Sequence, residues 1–160
     1  MYPMQIRPIQ QADNAATARM IRQVLLEQKA PRSGTAYADP WLDQLYEFYD
    51  KPGFEYFLLI NEGSVVGGAG IAPLEDDDTT CELQKMYFQP EVRGRGAGEK
   101  MITKCLDFAR ENGFKRCYIE TLPWMKAAQK LYHRNGFQRI DHRMGNTGHY
   151  SCTVFLLKQL

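Results

Sequence analysis

Residues 93–98, Arg-Gly-Arg-Gly-Ala-Gly, place three glycines in six positions, and their flanks restrict what the chain can fold into. Before them, residues 81–88 (Cys-Glu-Leu-Gln-Lys-Met-Tyr-Phe) read as a strand. After them a helical spacing runs from Gly96 through Met101, Cys105 and Ala109 to Asn112, with Gly113 as its C-terminal stop. A strand turning through glycine into a long amphipathic helix belongs to a layered sheet-and-helix architecture. The same turn is an anion site. The first amides of a helix lack partners within it, and the helix dipole favours negative charge there. Glycines let the backbone approach a ligand closely. The turn therefore predicts a ligand carrying a diphosphate.

The rest of the chain supplies the layers. Residues 4–8 read as a first strand, and Asp13 or Asn14 caps a helix reaching about Gln28. Residues 30–39 read as loop. Pro40 is placed to open a second helix through Tyr49. Residues 54–60 and 65–73 form strands about an Asn61-Glu62-Gly63-Ser64 turn, and the acidic run 75–78 reads as a solvated hairpin loop before the strand 80–88. Residues 116–120 form a strand, 125–135 a helix ended by Gly136, and 138–140 and 151–158 the last strands. The order β-α-α-β-β-β-α-β-α-β-β predicts an α/β chain with a mixed sheet and helices on both faces.

At 160 residues, 44% hydrophobic and 24% charged, the chain suits one globular domain over 1–160. A net charge of +1 argues against nucleic-acid partners. No apolar run approaches the ~20 residues of a membrane span. The first residues show no signal-peptide pattern, so the expected location is cytoplasmic. Cys81, Cys105, Cys117 and Cys152 sit in apolar segments and form no CxxC pair, which predicts buried, reduced thiols. His133, His142 and His149 have no ligand spacing with them, so no metal site is expected.

Two nucleotide turns fail on spacing. A Walker loop needs Gly-Lys followed by Ser or Thr, whereas Gly98 is followed by Glu99, Lys100 and Met101. A dinucleotide turn needs GxGxxG after a first strand and an acidic residue ~20 positions on. Here the glycines give GxGxG deep in the chain.

A third pattern fits. Arg93-x-x-Gly96-x-Gly98 resembles the [Gln/Arg]-x-x-Gly-x-[Gly/Ala] coenzyme A turn of the GCN5-related N-acetyltransferases (GNAT). The strand ELQKMYF before it and Leu131-Tyr132-His133-Arg134-Asn135-Gly136-Phe137 after it also resemble that family's blocks, in order and spacing. The resemblance covers residues 54–140 closely and the earlier part loosely. It implies a GNAT-like fold: a mostly antiparallel, twisted sheet of about seven strands, splayed between the fourth and fifth, with about four helices. It implies acetyl-CoA as co-substrate, no metal, and acetyl transfer to a primary amine of a small molecule, amino acid or peptide by direct attack. Homodimers are common in the family. A non-catalytic acyl-CoA sensor is the alternative.

The resemblance also assigns roles. Amides of Gly94, Arg95, Gly96, Ala97 and Gly98 would wrap the pyrophosphate, with the charge of Arg93 nearby. Backbone groups of Met86, Tyr87 and Phe88 would pair with the pantetheine arm as an added strand, the Met86 N–H polarising the thioester carbonyl. Tyr132 aligns with the family's general acid, a phenol with pKa near about 10 that is protonated at neutral pH; a core-filling tyrosine is the plain alternative. Glu82 lies where the family often places a base. Strand alternation puts Glu82, Gln84, Met86 and Phe88 on one face ahead of any bulge. A buried glutamate is costly unless paired or functional, and a salt bridge to Lys85 or Arg116 competes with the base role. Glu120 and His149 are further base candidates. For the acceptor, Tyr37, Asp39, Glu120 and His149 are candidate lining residues, Asp39 serving either to attract an ammonium or to cap the segment at Pro40.

Overall fold

Continuous runs buried on both faces, as in Tyr56–Leu59 and Val66–Ala72, build one seven-stranded sheet in the computed structural model, which describes residues 4–160. The elements are β1 (Gln5–Pro8), α1 (Asn14–Glu27), α2 (Leu45–Tyr49), β2 (Glu55–Asn61), β3 (Ser64–Leu74), β4 (Asp77–Phe88), α3 (Ala97–Glu111), β5 (Arg116–Thr121), α4 (Lys126–Arg134), β6 (Gln138–Ile140) and β7 (Val154–Gln159). The spatial order is β1-β2-β3-β4-β5-β7-β6. Every neighbouring pair is antiparallel except β4 and β5. A parallel pair needs a crossover, and α3 supplies it.

The helices cover both faces. Met101, Ile102, Cys105, Leu106 and Ala109 of α3 pack with Leu83, Ile119 and Tyr132 in one core cluster. Ala18, Ile21, Val24 and Leu25 of α1 pack with Leu45, Tyr49, Tyr56 and Leu58 in the other. All four cysteines are buried and free, and burial pushes the Cys152 thiol up to about 12. Nucleophilic chemistry at neutral pH is thereby suppressed there.

Two departures from regular structure shape the site. The β4–β5 ladder covers only Thr80–Glu82 against Arg116–Tyr118. Beyond Glu82 the strands part, leaving residues 83–88 without a ladder partner on that side. The second departure is a bulge in β4. Gly70 pairs with Gln84 but Gly68 with Tyr87, so β4 carries one extra residue in this stretch. Lys85 holds the strain at φ 50°. The bulge divides the row expected on one face: Glu82 and Gln84 face α2, whereas Met86 and Phe88 pack with the α3 cluster.

Tyr56 fixes the bulge. Its hydroxyl donates to the Lys85 carbonyl at 2.8 Å. The ring reaches that position because a Cβ at Gly68 would lie 2.6 Å from it and one at Gly70 2.7 Å from it.

The helix expected from Pro40 is broken. A short 3-10 turn occupies Leu42–Gln44, and Gln44 at φ −131°, ψ 48° separates it from α2. A distant side chain sets this start, since Asn14 Oδ1 accepts the Tyr46 N–H at 2.9 Å and its amide donates to Glu47. The acidic run is a tight turn rather than a loose loop. Asp77 already belongs to β4 and accepts bonds from Thr79, Thr80 and Arg116.

Candidate active site

The turn after β4 has the backbone its glycines suggested. Gly94 and Gly96 stand at φ 72° and 80°, and no atom lies within 4 Å of a Cβ built on either. Conformation rather than space demands glycine there. Gly96 is the N-cap of α3 and no side chain caps it, so the first amides of the helix are left for a ligand. Gly98 differs: a Cβ would sit 2.8 Å from Leu131, so this glycine serves the close approach of α3 to α4. The Arg93 Nε donates to the Phe88 carbonyl at 2.9 Å and its guanidinium pairs with Glu27, tying the turn to α1. Arg95 is exposed and makes no ion pair among the described residues.

Where β4 and β5 part, a narrow cleft opens between Leu83, Lys85, Met86 and Tyr87 on one side and Ile119, Glu120 and Thr121 on the other. Tyr132 of α4 lines it. The side chain is 5% exposed, and burial raises the phenol well above its ordinary pKa, so it is protonated at neutral pH. Its hydroxyl has no hydrogen-bond partner among the described residues, although its ring packs edge-on against Phe137 at 6.0 Å.

A second cavity of about 260 Å³ lies beyond the bulge, lined by Asp39, Glu82, Gln84, Lys85, Thr147 and His149 together with Trp41, Leu45, Phe48, Pro73 and Leu74. Lys85, at the bulge, lines both spaces. Glu82 is 4% exposed. Neither expected salt bridge to it forms: Lys85 pairs with Asp39 at 2.7 Å and Arg116 with Asp77 at 2.8 Å. Its partner is the Gln84 amide, which donates to Oε1 while accepting from the Tyr49 hydroxyl at 2.6 Å. Burial pushes the Glu82 carboxyl up to about 7, against the Gln84 hydrogen bond and with the help of the Glu120 charge. A carboxyl poised near neutrality in a cavity has the properties of a general base.

The other expected lining residues divide. Asp39 and His149 come together, His149 Nε2 lying 2.8 Å from Asp39 Oδ1. The histidine is therefore partly buried in a contact rather than solvated, and Asp39 joins the bulge to the final loop instead of capping a helix. Burial alone would raise the Asp39 carboxyl, but the His149 hydrogen bond and the Lys85 charge outweigh it and hold it below the usual range. Glu120 faces the cleft, not this cavity. Its carboxylate accepts from Tyr118 at 2.9 Å, Arg143 at 2.7 Å and Thr147 at 2.7 Å, which anchors the loop before β7. Tyr37 does not line the cavity and stacks under Arg22 and Arg32. Sequence reasoning missed Gln84, Tyr49 and Tyr56, whose contribution depends on where a bulge falls.

A mixed sheet splayed between its parallel strands, beside a helix whose start no side chain caps, is the architecture of the acetyltransferases. The model of the Acetyltransferase (GNAT) family matches residues 19–137, and the chain belongs to that family. It is 49% identical over 150 residues to the N-acetyltransferase YjgM of Escherichia coli K12, whose name marks it as uncharacterized; the match covers 92% of this chain and 90% of that one. Among solved structures, a GNAT acetyltransferase of Staphylococcus aureus Mu50 superposes with a TM-score of 0.86 at 21% identity over 99% of both chains. The yncA protein of Salmonella typhimurium, solved with its cofactor acetyl-CoA, superposes with a TM-score of 0.78 at 23% identity over 99% of this chain and 95% of that one.

Proposed function

We propose that the chain moves an acetyl group from acetyl-CoA to a primary amine by direct attack, with Glu82 as base and Tyr132 as acid. The observation that carries this is Glu82: buried, without an ion-pair partner among the described residues, and lining a cavity that shares Lys85 with the Tyr132 cleft. The chain fits the co-substrate at two places. The uncapped start of α3 suits a diphosphate, and the unpaired edge of β4 at residues 83–88 suits an extended, amide-bearing arm. When bound, acetyl-CoA supplies the acyl group in activated form, as a thioester.

The residues divide the remaining work. Backbone amides of residues 94–98 hold the anionic end, and the splayed edge of β4 orients the arm with the Met86 N–H directed at the acyl oxygen. Glu82, ionised above about pH 7, takes the amine proton as the N–C bond forms. As the C–S bond breaks, the Tyr132 hydroxyl gives its proton to the departing sulfur and is reprotonated from solvent. Tyr49 and Gln84 hold the Glu82 carboxylate at the cavity wall.

Thiol release measured against a broad panel of amines tests the reading. Turnover that falls sharply in Glu82→Gln and Tyr132→Phe is expected. A folded enzyme that shows a melting shift with acetyl-CoA but no turnover on any amine is instead a sensor. A ligand at 1,000 times its Kd adds about 4 kcal/mol of stability, enough to detect.

A further inference from the structure

The acceptor cavity has an uneven charge. Asp39, Glu75 and Glu82 contribute carboxyl groups, and the single lysine or arginine among its lining residues is Lys85. That ammonium is already neutralised, since its Nζ lies 2.7 Å from Asp39 Oδ2 and its side chain is 6% exposed. Arg143, the arginine of the final loop, does not line the cavity and donates to Glu120 and the carbonyls of His149 and Cys152. The His149 imidazole nitrogen is likewise directed at Asp39. Among the described residues no unpaired lysine or arginine lines this cavity, and because Lys85 and Asp39 cancel each other, a substrate carboxylate would face the uncompensated carboxyls of Glu75 and Glu82.

Part of the wall is apolar, beside the polar Gln84, Asn146 and Thr147. Trp41, Leu45, Phe48, Pro73 and Leu74 form one side, with Trp41 and Phe48 ring centroids 6.4 Å apart. Trp41 is 48% exposed, a large aromatic left at the rim of the opening. An apolar wall facing an acidic one suits an amphiphilic cation, with the ammonium toward Glu82 and an apolar body against Phe48 and Trp41.

We infer that the acceptor is a primary amine on an apolar or aromatic body with no carboxylate on the carbon that bears the amine. This rests on the acetyl-transfer reading for its chemistry, but not for the binding preference itself. Two sources share these features: a free alkyl or arylalkyl amine, and the N-terminal residue of a peptide, whose carboxylate has become an amide.

The test compares phenethylamine, phenylalaninamide, phenylalanine and aspartate on the full chain with coenzyme A present, first by calorimetric binding and then by turnover with acetyl-CoA. Phenethylamine or phenylalaninamide is expected to bind at least about tenfold more tightly than phenylalanine, a difference of about 1.4 kcal/mol, with aspartate weaker still. Their relative values distinguish the free amine from the peptide terminus. Phenylalanine or aspartate binding as well as the uncharged-body amines overturns the inference, as does the absence of binding by all four. Selective binding without turnover leaves the inference standing and removes the acetyl-transfer reading. One variant addresses the charge directly. Glu75 lies in the exposed turn before β4, and Glu75→Lys places a cation at the rim. The preference for phenethylamine over phenylalanine should then shrink several-fold in a folded protein, and an unchanged preference overturns the electrostatic argument.

Discussion

Replacing Glu82 with glutamine separates what this residue does for chemistry from what it does to the fold. The carboxyl ionises near 4.5 when unfolded and is pushed to about 7 by burial in the folded chain. Its ionised form is therefore disfavoured in the native state, and the difference corresponds to about 3 kcal/mol. The sign follows from the direction of the shift. Below about pH 4.5 the group is protonated in both states and has no effect. Between about 4.5 and 7 the unfolded chain releases its proton first, so stability falls as pH rises. Above about 7 the full penalty is present. Glu82→Gln keeps the shape and the contact with Gln84 and removes the titration. The variant should match the parent near pH 4.5 and exceed it at pH 8.5 by up to about 3 kcal/mol, or roughly 6–12 °C in Tm for a chain of this size. Its kcat/KM at pH 8 should fall by roughly 10²–10⁴-fold, and the rise of the parent's rate through pH 7 should vanish. Paired melts at the two pH values and a pH–rate profile measure both. A variant that is no more stable at pH 8.5, or that retains the parent's rate, refutes the reasoning.

Other perturbations have definite outcomes. Tyr132→Phe should lower kcat by about 10²-fold or more with little change in acetyl-CoA binding, and undiminished kcat across pH removes the acid role. Gly98→Val pushes a side chain onto Leu131; denaturant unfolding should show a loss of about 1–3 kcal/mol, whereas Gly96→Ala, in open space at φ 80°, should cost about 1–2 kcal/mol through backbone strain alone. Tyr56→Phe removes the donor to the Lys85 carbonyl; it should cost about 1–3 kcal/mol and lower kcat, because the bulge loses its support, and a fully active variant with parental stability contradicts that role.

Local signals wrote most of the fold plainly. Gly113 and Gly136 stop helices, the turn at Glu62-Gly63 closes a hairpin, and the spacing of Met101, Cys105 and Ala109 marks the buried face of α3. The glycine turn at residues 93–98 was legible for the same reason: strand, glycines and helix are contiguous. The start of α2 was not, because its cap is Asn14, 32 residues away, and no local pattern encodes that contact. The faces of β4 were legible only as far as Gln84. The extra residue at Lys85 is fixed by Tyr56 reaching across two glycines of β3, a tertiary event that inverts every side chain after it. Glu82 could be picked out as anomalous from its residue type in a buried strand. That Lys85 and Arg116 would both be taken by aspartates depended on the folded neighbourhood.

The contact between Asp39 and His149 joins residues 110 positions apart. The glycine turn at residues 93–98 lies within one continuous stretch of strand, turn and helix, with Leu131 of α4 packed against Gly98. The acceptor cavity needs β7 docked beside β5 and the preceding loop laid against Asp39, so it is completed late. On the proposed assignment, a growing chain would complete the place for the activated donor before the place for the amine. Transfer would then wait until β7 has joined the sheet beside β5.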